Sequence, residues 1–294
     1  MNFSFNRFFR DFTALNRLIL VNIAVFALLK FFHTLLFLFN GDQRIYETIF
    51  LNLSVPASLS SLAMKPWTIF SYMFVHESFF HLLFNMLWLY WFGQIFTEYL
   101  GEKKLVAVYI LGGLFGALVF VLAFNIFPVF GNSSSGAYAI GASAGILAVV
   151  VATATLLPEF KISLMFLGPV SLKVIAIVSI LLDILSISDG NAGGHFAHLG
   201  GALSGYIFIR QLKKGNDFTG WFIKISEKIK NFFTGKSTMK VVFKKRKSDE
   251  EFNSEKRNKE QLVDSILDKI AKSGYDSLTK EEKDFLFNVS KDKN

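Results

Sequence analysis

The sequence predicts an all-α polytopic membrane protein: a bundle of six transmembrane helices followed by a small helical cytoplasmic tail. Three observations lead there. Of 294 residues, 52% are hydrophobic and 35 are phenylalanine, more apolar surface than a soluble domain of this size needs. The apolar residues fall in runs of roughly 17–25, the length that crosses a bilayer. The net charge of +8 is gathered in alternate connections and in the tail, so its placement does not point to nucleic acid.

The expected spans are 16–39, 79–99, 105–124, 138–157, 171–187 and 194–210. The first follows Arg7, Arg10 and Arg17, as a cleaved leader would. No Ala-x-Ala-like site follows, and Lys30 and His33 interrupt the run, so a retained helix is expected. Basic residues mark the turn after span two (Lys103, Lys104), the turn after span four (Lys161) and the tail (Arg210, Lys213, Lys214). The segment NIFPVFGNSSSGAY has no charge, SISDGNAGG has only Asp189, and the long first connection carries Arg44 and Lys65. The positive-inside bias then places both termini in the cytoplasm. Spans two, four and six run inward, with their N-terminal ends on one side. The absence of cysteine excludes disulfides, thiol nucleophiles and Cys-based metal sites.

Polar side chains cluster at those ends. Span two opens HESFFHLLFNMLW, where His81 and Asn85 are four apart and share a helix face. Span four carries Ser143 between Gly141, Ala142, Ala144 and Gly145, and span six opens GGHFAHLGGALSG with His195 and His198. Counted from the expected outer ends, each group lies one or two turns in, roughly 5–10 Å deep. Polar groups there are costly and face a bundle interior or a water-filled cavity. Singly, each has an ordinary explanation: a serine bonded back to its own helix, an interfacial histidine, an asparagine joining two helices. Together they supply a nucleophile, a base and hydrogen-bond donors at one level. Gly200, Gly201, Ser204 and Gly205 allow close backbone approach, enough to bring His198 within roughly 2.6–3.2 Å of the Ser143 hydroxyl. Plain helix packing accounts for the same small residues and is compatible with catalysis.

Over about 65–210 these residues resemble the rhomboid intramembrane serine proteases. KPWTIFSYMFVH precedes span two, and His76, His81 and Asn85 form an H-x4-H-x3-N pattern. Gly93, Glu98, Gly101, Tyr109 and Gly112 follow in order, then GASAG around Ser143 and AHLGG around His198. The resemblance implies a Ser–His dyad with Ser143 as nucleophile and His198 as general base. It implies Asn85, His81 and the Ser143 backbone N–H as oxyanion donors, with His76 and Gly141 in support. It further implies single-pass membrane proteins as substrates, a bacterial cytoplasmic membrane as the location, no cofactor and no metal. Span five, preceded by Gly168 and Pro169, would be a lateral gate. The sequence departs from the family pattern at Ala144, where glycine commonly follows the serine, and it has no clear Trp-Arg pair in the first outer connection.

Rival chemistries fit fewer residues. A metalloprotease helix needs H-E-x-x-H, and His76-Glu77 is followed by His81 one residue too late. A metal site of His81, His195 and His198 is the remaining metal reading. An aspartyl protease needs two membrane aspartates, and only Asp183 lies within a span; it is expected to cap a helix or face water, the alternative being that it orients a histidine. GASAG matches the nucleophile elbow of soluble hydrolases, which requires a strand–turn–helix. A transporter would call for repeated halves with broken helices. The alternative function is a rhomboid-like membrane protein that binds clients without cleaving them.

Three regions are expected: a membrane core over 1–210, a basic amphipathic segment over 211–247 and a helical hairpin over 248–294. From Arg210 to Lys247 there are twelve Lys/Arg against two acids. WFIKISEKIKNFF sets Trp221, Phe222, Ile225, Ile229, Phe232 and Phe233 at helical spacing, with Lys224, Lys228 and Lys230 elsewhere. This reads as a helix on the anionic inner leaflet, with KKRK at 244–247 in the same patch. After a charged linker, Leu262, Val263, Ile266, Leu267 and Ile270 make one amphipathic helix, and Gly274 breaks it. Thr279 and Glu282 form a capping box for a second helix bearing Phe285, Leu286 and Val289. The hairpin is too small for a large core and is expected to dock on a partner or on another copy, or to fold only weakly.

Overall fold

Each expected span holds one helix. The computed structural model describes residues 13–131, 133–164, 168–217, 219–220, 228, 249–283 and 285. Two units are resolved, Met1–Thr234 and Gly235–Asn294. The first contains α1 Ala14–Leu38, α2 Gln43–Leu53, α3 Leu59–Met64, α4 Thr68–Ser71 and α5 Phe79–Leu100. It continues with α6 Glu102–Ile126, α7 Ser143–Leu156, α8 Leu172–Leu185 and α9 Ala192–Lys213. Two antiparallel strand pairs join the connections: β1 Val55–Pro56 with β2 Tyr138–Ala139, and β3 Lys161–Leu164 with β4 Gly168–Ser171.

Among the described residues three helices, α1, α5 and α6, are long and apolar enough to cross a membrane. Their outward faces carry large exposed apolar side chains, including Leu28, Phe31, Phe84, Leu118 and Leu122, more than a water-facing surface carries. The fourth expected span needs correction. Its helix begins at Ser143, not 138, and the residues before it form β2 and a turn. Fourteen residues reach about 21 Å, short of a hydrocarbon core of about 30 Å.

That short helix is the centre of the bundle. Every residue from Ala144 to Ala154 is buried, as expected of a helix apolar on all sides. Glycines bring α6 and α9 against it. A methyl group on Gly112 would lie 2.3 Å from Cβ of Ala148, and one on Gly205 would lie 2.1 Å from the Ala148 carbonyl oxygen. Lys213 closes the far end by donating to the Thr155 carbonyl at 2.9 Å, where a cation also suits the helix dipole.

α8 is held more loosely. Its buried residues are Leu172, Ala176 and Asp183, while Ile177, Leu181, Leu182 and Leu185 are all more than half exposed. α1 packs on α5, where Gly93 makes room for Leu15. Buried Asn22 on α1 donates to the Tyr109 hydroxyl at 3.3 Å, and Tyr109 donates to the Met73 carbonyl at 3.2 Å. Tyr109, Gly93 and Gly112 thus hold the bundle together from outside the polar cluster.

In the second unit, α10 runs from Asp249 to Ser273, so the expected charged linker is helical from Asp249 onward. Ile266 is buried, whereas Leu262 and Leu267 are about half exposed. Gly274, at φ +76°, ends the helix. The capping box is formed: the Thr279 N–H donates to Glu282 at 2.8 Å and the Glu282 N–H donates to Thr279 Oγ1 at 3.3 Å. Arg7, Arg10, Trp221, Phe222, Lys224, Ile225, Ile229, Lys230, Phe232, Phe233, KKRK 244–247, Leu286 and Val289 lie outside the described residues.

Candidate active site

Backbone bonds position Ser143. The Ala57 N–H donates to the Ala137 carbonyl at 3.0 Å and the Gly141 N–H to the Tyr72 carbonyl at 2.9 Å, either side of the β1–β2 pair. The chain then turns at Gly141, whose φ of +112° only glycine adopts readily. A Cβ there would also lie 2.8 Å from Nε2 of His81. Ser143 is the first residue of α7, not one or two turns in. Its own N–H therefore has no acceptor within the helix.

Helix caps set the histidines. Ser78 accepts the His81 N–H at 3.2 Å and starts α5. Asn191 accepts the Gly194 N–H at 3.2 Å and starts α9. The approach of α9 to α7 is backbone to backbone: a methyl on Gly201 would sit 2.0 Å from the Ala144 carbonyl oxygen. Gly200 instead faces α6, 2.6 Å by the same measure from the Phe115 carbonyl oxygen. At this separation His198 Nε2 lies 2.7 Å from Ser143 Oγ.

Asp183 completes a chain of polar contacts. Its Oδ1 lies 2.8 Å from Nδ1 of His198 and 2.8 Å from Nδ1 of His195. It is buried and its Oδ1 is taken up by the two rings, so of the two readings of this residue the structure favours the orienting one. A carboxylate accepts only, so Nδ1 of a neutral His198 carries the proton. Nε2 then holds a lone pair and accepts from the Ser143 hydroxyl. The signal was present in the sequence. Asp183 and the His195/His198 pair flank a short turn between α8 and α9, and histidines three apart share a face.

The donors lie in the same place. A cavity of about 730 Å³ is lined by Ser143, His198, His81, Asn85, Glu77 and Tyr138, among others. Asn85 is buried, and its Nδ2 has no hydrogen-bond partner among the described residues. A buried amide donor without an acceptor is costly, and here it lines the cavity beside the serine. His76 is buried and packs edge-on to His81 with ring centroids 5.0 Å apart. It supports His81 by contact. The alternative metal trio of His81, His195 and His198 is not the one brought together; among the described residues the cluster with metal-ligand spacing is Asp183, His195 and His198.

Ala144 is accommodated. It is buried, and its Cβ faces Gly116, where an added methyl would come within 2.6 Å. The extra carbon fills space that Gly116 leaves.

Residues 63–214 match the Rhomboid domain family, and residues 247–292 match a family of unknown function (DUF6576). The chain is similar to RHOMBOID-like protein 12, mitochondrial, of Arabidopsis thaliana: 29% identity over 50% of this chain and 47% of that protein. It is similar to human presenilin-associated rhomboid-like protein, mitochondrial: 31% identity over 46% of this chain and 35% of that protein. It is also similar to the rhomboid protease GlpG of Klebsiella pneumoniae, at 36% identity over 20% of this chain and 21% of that protein. The chain spans less than half the length of each. With the Rhomboid domain covering just over half of the chain, on the helices that carry the polar cluster, the chain belongs to the rhomboid family.

Proposed function

We propose that the protein is an intramembrane serine endopeptidase that cleaves transmembrane segments of other membrane proteins with Ser143 and His198. The observation that carries this reading is the 2.7 Å contact between Nε2 and Oγ, within reach of proton transfer, at a cavity that also holds the Asn85 amide, which has no partner among the described residues.

On this reading, Ser143 Oγ attacks the scissile carbonyl carbon while Nε2 of His198 takes the hydroxyl proton. The carbonyl oxygen becomes an oxyanion. Asn85 Nδ2, His81 and the Ser143 N–H donate to it, the arrangement that supplies the largest electrostatic contribution in acyl transfer. The tetrahedral species collapses, the peptide C–N bond breaks, and the imidazolium returns its proton to the leaving amine. Water then hydrolyses the acyl-enzyme by the same steps. Asp183 is a positioning residue: it holds the His198 ring in the tautomer this sequence of transfers needs. No metal or cofactor takes part.

We place the core, 1–210, across the membrane as six spans with both termini on the cytoplasmic side, as the charge pattern favours. Two of the relatives are named as mitochondrial and the third comes from a bacterium; our proposal is a cytoplasmic membrane. The basic segment over 211–247 would lie on the inner leaflet, and the extension over 248–294 would bind a partner or a second copy. Substrates would be single-pass proteins that reach the cavity from the lipid.

The test is a fluorophosphonate probe on the purified full chain in detergent. Labelling of the wild type, and none of Ser143→Ala or His198→Ala, supports the protease. No labelling of folded wild type would turn the reading toward a protein that binds clients without cutting them.

A further inference from the structure

Two imidazoles converge on one carboxylate oxygen. Nδ1 of His195 and Nδ1 of His198 are each 2.8 Å from Oδ1 of Asp183, and the three ligand-capable atoms lie within 4.8 Å of one another. The proposed reaction uses the His198 contact and has no need of His195. We infer that Asp183, His195 and His198 form an inhibitory binding site for a divalent transition-metal cation, with Zn²⁺ the best fit.

The donor set carries the choice of ion. Two imidazole nitrogens and a carboxylate oxygen suit Zn²⁺ and its neighbours, and do not suit Mg²⁺ or Ca²⁺, which take oxygen ligands. Three protein ligands leave a fourth, tetrahedral position for water. Ligand atoms about 2.0–2.1 Å from such an ion sit about 3.3 Å apart, so each 2.8 Å contact opens by about half an ångström and the two ring nitrogens, within 4.8 Å of each other, come to the same spacing by rotation of the side chains. Access exists as well: Asp183 and His198 line a second cavity of about 290 Å³, together with Ser179 and Leu182. Each neutral ring moves its one proton from Nδ1 to Nε2 when the ion binds, since the metal needs the Nδ1 lone pair.

The consequence for His198 follows from that proton count. A neutral imidazole coordinated through Nδ1 carries its one proton on Nε2, the atom 2.7 Å from Ser143 Oγ. Nε2 then donates to the serine and can no longer take its proton. Metal binding and base catalysis exclude each other by tautomer, with the substrate cavity left open. The inhibition rests on the protease reading; the binding does not.

The experiment uses the full chain in detergent, stripped of metal with a chelator, at pH 7.5. Equilibrium dialysis against ZnCl₂, with bound metal measured by mass spectrometry, is expected to give one Zn²⁺ per chain. Ser143→Ala should bind equally well, and His195→Gln at least tenfold more weakly. In the second arm, Zn²⁺ is expected to abolish fluorophosphonate labelling of the wild type, and EDTA to restore it. His195→Gln should label without added metal and need at least tenfold more Zn²⁺ for inhibition. No stoichiometric binding, equal affinity in His195→Gln, or full-rate labelling of the Zn²⁺-loaded wild type overturns the inference. If the wild type never labels, the protease reading fails, and dialysis alone still decides the site.

Discussion

Oδ1 of Asp183 lies 2.8 Å from Nδ1 of His198, and this single contact decides which ring nitrogen faces Ser143. Asp183→Asn replaces the acceptor with an amide that can turn its NH₂ toward Nδ1 and drive the ring proton to Nε2. In a soluble Ser-His-Asp protease the same kind of change costs about 10⁴ in kcat. We expect kcat here to fall by about 10²–10⁴-fold with KM little changed, measured on a fluorogenic membrane substrate in proteoliposomes. Asp183→Glu should recover part of the loss. A residue needed only for folding would lower the amount of active protein and leave its kcat intact.

Asn85→Ala is expected to slow turnover by about 10²–10³-fold, the cost of one oxyanion donor in a soluble protease, or less where His81 compensates. Because Nδ2 of Asn85 has no partner in the resting fold among the described residues, its removal breaks no bond there. The thermal midpoint should hardly move. Wild-type kcat in this variant would remove Asn85 from the mechanism.

Gly201→Ala drives a methyl into the Ala144 carbonyl oxygen, 2.0 Å from where its Cβ would stand. Overpacking of this kind costs about 1–3 kcal/mol or more. The outcome expected is a lower unfolding midpoint in mixed detergent together with lost probe labelling, since α9 carries His198. Ala144→Gly should keep its labelling and lose about 1 kcal/mol, as glycine inside a helix does.

The gate idea has a direct test, because the chain has no cysteine. Phe84 on α5 and Leu182 on α8 line the same cavity of about 290 Å³. A Phe84→Cys/Leu182→Cys pair, oxidised, should stop cleavage of a membrane-embedded substrate and spare labelling by the small probe. Unchanged cleavage in the cross-linked protein would reject α8 as the way in.

In the second unit, Glu282 accepts the Thr279 N–H and pairs with Lys269 at 2.9 Å. These contacts, the backbone bond first, hold its carboxyl below the ordinary value of 4.5. A depressed folded-state value means that this stabilisation is fully present above 4.5 and is lost as pH falls through the lowered value. Hydrogen exchange of the full chain, followed by mass spectrometry of peptides covering 275–285, should show protection lost on acidification after correction for intrinsic rates. Thr279→Ala should weaken that protection at neutral pH.

Much of this was legible in the residues. Run lengths located the helices within a few residues, and the four-residue spacing of His81 and Asn85 put both beside the serine. The start of α7 was not legible. AYAIGAS carries no charge and runs straight into the apolar helix after it, and only the pairing of Tyr138 and Ala139 with Val55 and Pro56, a long-range event, makes it extended. Asp183 was underestimated for a related reason. A lone carboxylate near a helix end reads as solvated until the short turn to α9 folds two imidazoles onto it. The accommodation of Ala144 by Gly116 was likewise invisible, since it depends on which faces of α6 and α7 meet.

Contacts between backbones have no rotamers to relax through. Where Gly201 and Gly205 lie on the Ala144 and Ala148 carbonyls, α7 and α9 meet as if at a mechanical stop, and they must tilt together. α8 has no such stop. A thicker or thinner bilayer, which tilts helices to match their length, would therefore leave the Ser143–His198 distance alone and act on α8 first. Membrane thickness would reach this chemistry through the position of Asp183, as a dial on the orientation of the base.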